Sequence, residues 1–230
     1  MNPAGAMTGK LFPTGKREDT IVVREHSGTA ALEVRATLVD AGNPFVLVDA
    51  STLPIPLIKT LLLQQDTLPL SDLNNIRCEA AVMMGLAASI EQARLTHGTP
   101  KIAMVLSPSE AARFFPEEAH NGCQPDVSVI SLSMGKLHPS LQLTGAVAIS
   151  AAFSVPGTVP FRLAHSNTHG SSLTMRQRLE TQLQVCIAHR SGTITVTVDA
   201  RSNQSEAHIE ACSVSRTART LFEGQVWFCS

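Results

Sequence analysis

Aromatic residues and basic clusters are scarce in this chain of 230 residues. It has no Tyr and one Trp, its net charge is −1, and its longest basic run is Lys16-Arg17. Binding to nucleic acid needs a surface rich in Lys and Arg, and binding to single strands also uses aromatic stacking. The composition therefore excludes a general nucleic-acid partner, whereas a few local donors would suffice to hold a small anionic substrate.

Cysteine pairs and long apolar runs are also missing. The cysteine count is five, which is odd, and no C-x-x-C pair occurs. This usage indicates a reducing compartment rather than a disulfide scaffold. The amino terminus has no apolar signal-peptide core, and no apolar run approaches the roughly 20 residues of a membrane span. We expect a soluble, cytoplasmic protein without a membrane partner, in which the cysteines are small core residues.

The familiar nucleophile and nucleotide motifs are absent as well. No G-x-S-x-G, P-loop or G-x-G-x-x-G pattern is present. His165 and His169 stand four residues apart, but no third ligand lies nearby and no Glu follows the first His. We therefore expect no metal centre.

The pattern of apolar residues predicts an α+β fold. A run of small apolar residues after Gly145 predicts a helix that is buried on all sides. Period-two alternation predicts several strands, so we expect a curved antiparallel or mixed sheet wrapped around this central helix. The predicted strands cover residues 32–40, 45–50, 101–106 and 126–134, and the final third adds "TVPFRLA", "LQVCIAH", "TITVTVDA" and "HIEACSVS". The predicted helices cover residues 54–65, 71–97 and 141–154.

The loop before the central helix is the strongest site candidate. "SMGKLHPSLQLTGAVAISAA" runs from a strand through a glycine turn into the helix. The first N–H groups of a helix have no partner inside it, and their partial positive charge suits a carboxylate. Thr144 would place a hydroxyl at this helix end, and Gly145 would leave its backbone N–H unobstructed. The alternative is that Ser140 or Thr144 caps the helix and Gly145 only allows close packing.

Two neighbouring segments could assist at such a site. His138 could donate to a carboxylate or carry a proton, and Lys136 could supply charge. Asn43 stands in a Gly-Asn-Pro turn at a strand end, where its amide could donate to a carboxylate. The alternatives are that His138 and Lys136 are solvated loop residues and that Asn43 belongs to an ordinary hairpin turn.

Three separated motifs together resemble the PrpF family of isomerases, which act on methylaconitate, aconitate and related unsaturated polycarboxylates. They are "LVDAGNPFVLVDA", "RCEAAVMMGLA" with "TPKIAMV", and "SMGKLHPSLQLTGAVAISAA", in the family's order. "LFPTGKREDTI" resembles the family's linker and "SRTARTLFEGQVWF" its ending. The resemblance implies one half of a diaminopimelate-epimerase-like fold, in which the amino end of the central helix points into the substrate cleft.

The resemblance also implies roles for individual residues. Asn43 matches an Asn that contacts substrate carboxylate, and Thr144, Gly145 and Ala146 match a helix start that offers N–H groups. The remaining cleft residues by resemblance are Ser133, Met134, Gly135, Lys136 and His138. Gln142 stands where the epimerases have a catalytic cysteine, so a two-cysteine racemase mechanism is not expected.

The resemblance covers the carboxyl-terminal half of the family pattern. Family members are longer, and their amino-terminal half carries the catalytic lysine. We therefore expect residues 1–31 to be a linker and the remnant of a preceding domain, and residues 32–230 to form the half-barrel domain. The last strand, about 216–230, would then belong to the amino-terminal domain.

Two functions follow from this resemblance. The first is an isomerase that shifts a C=C bond, or its cis/trans geometry, in an unsaturated di- or tricarboxylic acid without metal, nucleotide or flavin. The second is a catalytically incomplete half that binds only carboxylate or a partner chain. That partner would be an amino-terminal half or a second copy of this chain.

Overall fold

A computed structural model describes most of the chain. The described residues are 4–23, 32–58, 70–107, 110–112, 115, 124–166, 182–203, 206–215 and 223–225. Within them, nine strands form one sheet. The strands are β1 (Asp19–Val23), β2 (Leu32–Ala41), β3 (Asn43–Asp49), β4 (Lys101–Leu106), β5 (Val127–Ser133), β6 (Lys136–Leu137), β7 (Gln182–His189), β8 (Gly192–Asn203) and β9 (Glu206–Val214).

The sheet is mixed, with the spatial order β1-β2-β3-β4-β5-β7-β8-β9 and with β6 paired to β5 alone. β3 and β4 are parallel, as are β5 and β7, while the other neighbours are antiparallel. The register sets Phe45 beside Lys101 and Ile102 beside Leu132. The starts of β3 and β4 and the ends of β2 and β5 therefore form one row of strand ends, here called the edge of the sheet.

Four helices with defined bounds accompany the sheet, besides shorter helical stretches at residues 55–58 and 110–112. They are α1 (Leu70–Met83), α2 (Ile90–Leu95), α3 (Leu143–Phe153) and α4 (Val159–His165), and a short 3-10 turn covers Ala50–Thr52. α3 contacts β2 and β3 near one end of the sheet and β8 and β9 at the other. The sheet therefore curves around α3, which confirms the predicted α+β class and the central apolar helix.

Alternate residues of the strands face two separate cores, because successive side chains of a strand point to opposite faces. Phe45, Leu47, Ala103 and Val105 pack with α3 in one core. The other set packs with α1 on the outer face of the sheet, as shown by Val46, Val48, Ile102, Met104, Leu73 and Ile76. The strands of the middle of the sheet are buried on both faces, which explains their nearly continuous apolar sequences.

The long helix predicted for residues 71–97 is wrong, because two helices stand in its place. α1 ends at Met83, and Gly85 then adopts φ +72°, which a helix cannot continue. Ser89 is the N-cap of α2, and its hydroxyl oxygen accepts a hydrogen bond from the Gln92 N–H. The buried Arg77 ties the two helices, since it donates to the carbonyls of Ala93 and Thr96 at the end of α2.

The strand predicted for "TVPFRLA" is also wrong, because these residues form α4. Thr158 is its N-cap and accepts from the Phe161 N–H at 3.3 Å. Pro160 lies in the first turn, where its missing N–H has no helical partner to lose. The short run resembled a strand because Val159 and Leu163 are four residues apart, which fits a strand as well as a helix. Both are buried with the α3 core. The other three strands of the final third are confirmed as β7, β8 and β9.

Residues 4–23 pack against the domain rather than standing apart from it. β1 pairs with β2, and Ile21 and Phe12 are buried. Asp40 Oδ2 accepts from the N–H groups of Met7 and Thr8 at 2.8 and 2.7 Å, which holds the preceding loop against β2. The sequence did not lead us to expect β1. The division into domains at residue 31 stays a prediction.

Some expectations fall partly or wholly outside the described residues. Of the predicted helix at 54–65, residues 55–58 are helical, residue 54 is not, and residues 59–65 are not described. Of the predicted last strand at 216–230, only residues 223–225 are described. Among the described residues, no helix is both long and apolar enough to cross a membrane.

One cysteine departs from the expectation. Cys186 is disulfide-bonded. Cys78 and Cys212 are free thiols. The prediction of small core residues is confirmed for Cys78 and Cys186, which are both buried, whereas the disulfide of Cys186 was not expected from the sequence.

Candidate active site

The amino end of α3 lies at the sheet edge where β3 and β4 begin. Gln142 is its N-cap residue, and no side chain caps the helix. The N–H groups of Leu143, Thr144 and Gly145 have no hydrogen-bond partner among the described residues, whereas Ala146 N–H donates to the Gln142 carbonyl at 2.9 Å. Leu143 and Thr144 are exposed. Three backbone donors are therefore unpaired, two of them on exposed residues and one on the buried Gly145, and the prediction that Ala146 offers its N–H is wrong.

The side chain of Gln142 bonds β5 and makes no hydrogen bond to the amides of α3. Its Oε1 accepts a 2.6 Å hydrogen bond from the Ser131 hydroxyl, and its Nε2 donates to the Leu132 carbonyl at 3.3 Å. Ser131 is buried on β5, on the face that carries the α3 core. Both polar atoms of this side chain are thus used by β5, and neither caps α3. The pair therefore keeps the helix amides open.

Gly145 allows α3 to approach the sheet closely. A Cβ atom at this position would lie 3.0 Å from Cζ of Phe45 and 3.2 Å from Cδ1 of Leu141. Phe45 is fully buried on β3 and has little freedom to move aside. The glycine therefore brings the first turn of α3 against the start of β3.

The turn that carries Asn43 lies beside the same helix. Gly42 has φ +71°, and a Cβ there would lie 3.7 Å from Cγ1 of Val147. Asn43 pairs with Ala41 across the hairpin. Because alternate residues of a strand point to the same face, Asn43 lies on the same face as Phe45, which is the face that carries α3. The structure therefore brings the predicted Asn43 to the edge where α3 begins.

The predicted loop residues form a tight hairpin at this edge. Ser133 opposes Lys136 across a two-residue turn, and both turn residues, Met134 and Gly135, have positive φ of 52° and 73°. Two consecutive positive values are typical of a type I′ turn, which favours Asn and Gly over Met. Met134 is thus a non-glycine residue in a strained conformation, and its side chain is 65% exposed. Lys136 is exposed as well.

His138 is fixed by its own loop. Its N–H donates to the Ser131 carbonyl at 2.8 Å, and its ring Nδ1 lies 2.9 Å from the Ser140 carbonyl and 3.2 Å from the Ser140 N–H. The ring is half-buried. With Nδ1 occupied in this way, Nε2 is the ring atom left for a ligand. The hydroxyl of Ser191 holds the loop from the far side by donating to the Pro139 carbonyl.

Two residues of this edge were not predicted from the sequence as site residues. Ser131 was read only as a strand residue, although its hydroxyl positions Gln142. Lys101 was read only as a strand start, although its pairing with Phe45 places it on the α3 face. The alternation in "KIAMVL" was the available signal, because Lys101 shares its phase with Ala103 and Val105.

The opposite end of α3 is closed by an ionic cluster. Asp49 is fully buried and accepts from Arg162 at 2.8 Å and from Arg35 at 3.1 Å, while Arg162 also bonds Glu18. Burial alone would lower the pKa of Arg162, but its bonds to Asp49 and Glu18 outweigh that effect and raise it. This cluster joins α4 to β2 and β3 and has a structural role.

Other titratable groups with shifted pKa values also lie away from the edge. Burial raises the pKa of the Asp126 carboxyl, against the opposing effects of the Cys186 N–H and the charge of His165. Burial raises the pKa of the Cys212 thiol to about 11. His165 stacks on Phe161, and its predicted neighbour His169 lies outside the described residues. In the described part of the chain, no group of three His, Cys, Asp or Glu residues is placed to hold a metal ion.

Comparison with known proteins places this arrangement in a family context. The family model for "PrpF protein" matches residues 1–229. A 2-methyl-aconitate isomerase of Shewanella oneidensis is 32% identical in an alignment of 234 positions that covers 98% of this chain and 53% of that protein. The 2-methyl-aconitate isomerase of Cupriavidus necator is 30% identical over 223 residues, 95% of this chain and 50% of that protein.

A solved structure supports the fold. The crystal structure of a methylitaconate-delta-isomerase superposes with a TM-score of 0.63 at 23% identity, over 93% of this chain and 52% of that one. The chain thus spans about half the length of the relatives it matches.

Proposed function

The chain belongs to the PrpF family, and from this membership we propose that it acts in the isomerisation of an unsaturated di- or tricarboxylic acid. The reaction moves a C=C bond, or changes its cis/trans geometry, by removal and return of a proton. Substrates of the aconitate, methylaconitate or methylitaconate type fit this proposal, because relatives are named for the last two.

The observation that carries the proposal is the uncapped amino end of α3. The free N–H groups of Leu143, Thr144 and Gly145 stand at a sheet edge, and Gln142 is bonded elsewhere. Such an end stabilises negative charge through its donors and its helix dipole. A substrate carboxylate would bind there and would become more tightly held as charge develops on it in the transition state.

The other residues of the edge complete the binding site in this proposal. Asn43 donates its side-chain amide to the same or an adjacent carboxylate. Ser133, Met134 and Gly135 would border the site from the turn after β5, and Ala146, which is fully buried, would contribute only by packing. His138, through Nε2, and Lys136 assist by handling a proton or balancing charge.

The proposed chemistry balances without a co-reactant. A base takes a proton from the carbon next to the double bond, and the electron pair of that C–H bond passes into a dienolate that the helix amides stabilise. The proton then returns to the other end of the allylic system. His138 and Lys136 are auxiliary in this scheme, and the residue that acts as the main base is not assigned to this part of the fold.

A second candidate function is carboxylate binding that becomes catalytic only with a complementary chain. The observation that favours it is length, because the chain spans about half of its relatives. The complement would be an amino-terminal half of the family fold or a second copy of this chain. In either case the α3 end would supply the anion site and the complement would supply the base.

Ultraviolet absorbance of the conjugated double bond tests both candidates. The purified chain is incubated with cis-aconitate and, separately, trans-aconitate, alone and together with the amino-terminal half of a family member. Turnover by the chain alone supports the isomerase and rejects dependence on an amino-terminal half. Turnover only in the mixture supports the second candidate, and no turnover in any mixture contradicts the proposed reaction for these substrates.

A further inference from the structure

A small cavity lies on the outer face of the sheet, between α1 and the strand ends. Its volume is about 30 Å³, and its apolar wall includes Leu73 of α1, Ile102 of β4 and Leu132 of β5. These three residues belong to the core that packs α1 against the sheet. The sheet therefore separates this cavity from α3 and from the helix end where the proposed function places the substrate.

One side of the cavity is polar and basic. Among the described residues, its lining includes three basic ones, Arg77, His97 and Lys101, and no acidic one. Arg77 is only 5% exposed, and none of the ion pairs in the described part of the chain involves it. A charge at this depth is screened less than a charge at the surface, because its surroundings have a lower effective dielectric constant. The lining therefore favours an anionic occupant.

The guanidinium of Arg77 is held by neutral acceptors within the described residues. Its Nη1 donates to the carbonyls of Thr96 and Thr99 at 2.9 and 3.2 Å. Its Nη2 donates to the carbonyl of Ala93 at 2.8 Å and contacts Sγ of Cys78 at 3.2 Å. The carbonyl dipoles at the end of α2 offset part of the positive charge but supply no formal negative charge. An anion in the cavity would supply it without displacing any of these bonds.

Asn74 adds a hydrogen-bond donor to the lining. Its Oδ1 accepts from Nε of Arg77 at 3.0 Å, and because Nε can only donate, this contact determines which way the side-chain amide is turned. Nδ2 then keeps its two N–H groups, and neither has a hydrogen-bond partner in the part of the chain that the structure describes. His97 is exposed and lines the same cavity. A carboxylate can accept from both side chains.

The turn of Met134 and Gly135 borders the cavity beside β5. A Cβ atom on Gly98 would lie 3.9 Å from Sδ of Met134, so this side chain packs against the loop that carries His97. The same turn borders the candidate active site from the other face of the sheet. An occupant of the cavity would therefore lie against the back of that turn.

We propose that this cavity is a second anion site, which binds a short monocarboxylate of the size of acetate. A volume of about 30 Å³ holds about two or three water-sized groups, since one water needs about 10–15 Å³. The carboxylate accepts from Asn74 and His97 beside the charge of Arg77, and the methyl group packs on Leu73 and Ile102. This site does not depend on the proposed function, because no residue of the α3 end takes part in it.

Amide chemical shifts of the ¹⁵N-labelled chain test the site with acetate as the probe. In wild type, the amides of Asn74, Gly98 and Gly135 should shift together and saturate with one dissociation constant, on the order of millimolar. Acetamide has the same shape without the charge, and it should bind there at least about tenfold more weakly. Equal affinity for the two probes would show that the cavity is not an anion site.

Asn74→Asp is the decisive variant, and Asn75→Asp is its matched control. Asn74→Asp keeps an oxygen for Nε of Arg77 but replaces the donor with a negative charge, so the affinity for acetate should fall at least about tenfold. Asn75→Asp adds the same charge to α1 at a residue outside the lining, and it should change the affinity less than about threefold. Should Asn74→Asp fail to fold, His97→Glu places the charge on an exposed lining residue and should weaken acetate binding in the same way.

The outcomes distinguish this inference from the proposed function. Acetate shifts confined to Leu143, Thr144 and Gly145, no saturable shifts with acetate, undiminished affinity in folded Asn74→Asp, or an equal loss in Asn75→Asp would each overturn the cavity site. Glutarate, a saturated dicarboxylate larger than the cavity, should instead move the three α3 amides. Its failure to do so contradicts the proposed function, and acetate binding at the cavity would still support this inference.

Discussion

The hydroxyl of Ser131 donates a 2.6 Å hydrogen bond to Oε1 of Gln142, and this contact holds the N-cap side chain of α3 against β5. A polar residue at an N-cap commonly bonds the helix amides itself. Here the same polarity is directed into the sheet, so the amides of Leu143, Thr144 and Gly145 stay open. A less stable helix end is retained at the place where the proposed function needs free donors.

Giving α3 a cap should therefore trade ligand binding for stability. Gln142→Ser places a short hydroxyl where it can accept from the N–H of Thr144 or Gly145, and Gln142→Ala is the matched control because both variants lose the Ser131 contact. Relative to the Ala variant, the Ser variant should unfold at about 1 kcal/mol higher free energy. Its affinity for glutarate should fall about fivefold, since the cap and the ligand compete. Urea unfolding and calorimetry measure the two effects, and a stabilised variant with undiminished affinity would place the ligand elsewhere.

Gly145→Ala should destabilise the protein, although alanine normally favours a helix. The new methyl would lie 3.0 Å from Cζ of the fully buried Phe45, so that α3 or the ring must shift. We expect a loss of about 1–3 kcal/mol in the free energy of unfolding. In the background of Phe45→Leu, which removes the opposing ring, the added cost of Gly145→Ala should fall, leaving the smaller strain against Cδ1 of Leu141 at 3.2 Å. An unchanged cost in that background would show that the contact with Phe45 is not the cause.

The two arginines on Asp49 should differ in importance. Arg162→Met removes the 2.8 Å partner of a fully buried carboxylate and should cost about 1–3 kcal/mol, with the partial exposure of Arg162 keeping the loss below that of a wholly buried pair. Arg35→Met removes a partner whose side chain is 46% exposed and should cost less than about 1 kcal/mol. Urea unfolding of both variants checks the order. Binding of glutarate should be unchanged in both, because the cluster lies at the other end of α3.

Asp126 should make the protein less stable as the pH rises. Burial raises the pKa of its carboxyl in the folded state, so the folded chain holds a proton that the unfolded chain has already lost. The free energy of unfolding should fall from the unfolded pKa, about 3.9, up to the raised folded value, and should then level off. Asp126→Asn keeps an oxygen to accept the Cys186 N–H at 2.7 Å and should remove this fall.

The control for that prediction is Glu33→Gln, an exposed change on β2. Stability is measured against urea across the acidic and neutral range with the disulfide of Cys186 kept oxidised. The difference between Asp126→Asn and wild type should grow in favour of the variant as the pH rises. A constant difference, or one that also appears with Glu33→Gln, would mean that Asp126 is not the titrating group.

Much of the fold was predictable because, in long segments, the period of the apolar positions shows which side chains are buried. β2, β4, β5 and α3 appear within two residues of their predicted bounds, since their apolar phase is determined by the two cores they face. α4 was mistaken for a strand because seven residues are too few to separate periods of two and 3.6, and the deciding cap of Thr158 was not weighed. The break before α2 was missed because apolar positions continued through Gly85 at helical spacing.

The site was predictable only in its location. Asn43, Thr144 and Gly145 could be named because turn and helix-start chemistry leave a local signature. The contact between Ser131 and Gln142 spans eleven residues and depends on how β5 packs against α3, which no local pattern reveals. Lys101 is similar, because its relation to α3 follows from the parallel pairing of β3 and β4.

The most direct test of the account is a titration of the ¹⁵N-labelled chain with tricarballylate, a saturated tricarboxylate, followed by amide chemical shifts. The account predicts that the amides of Leu143, Thr144 and Gly145 show the largest changes and saturate together with one dissociation constant. Saturable binding that leaves these three amides unmoved, or no saturable change anywhere in the spectrum, would contradict it.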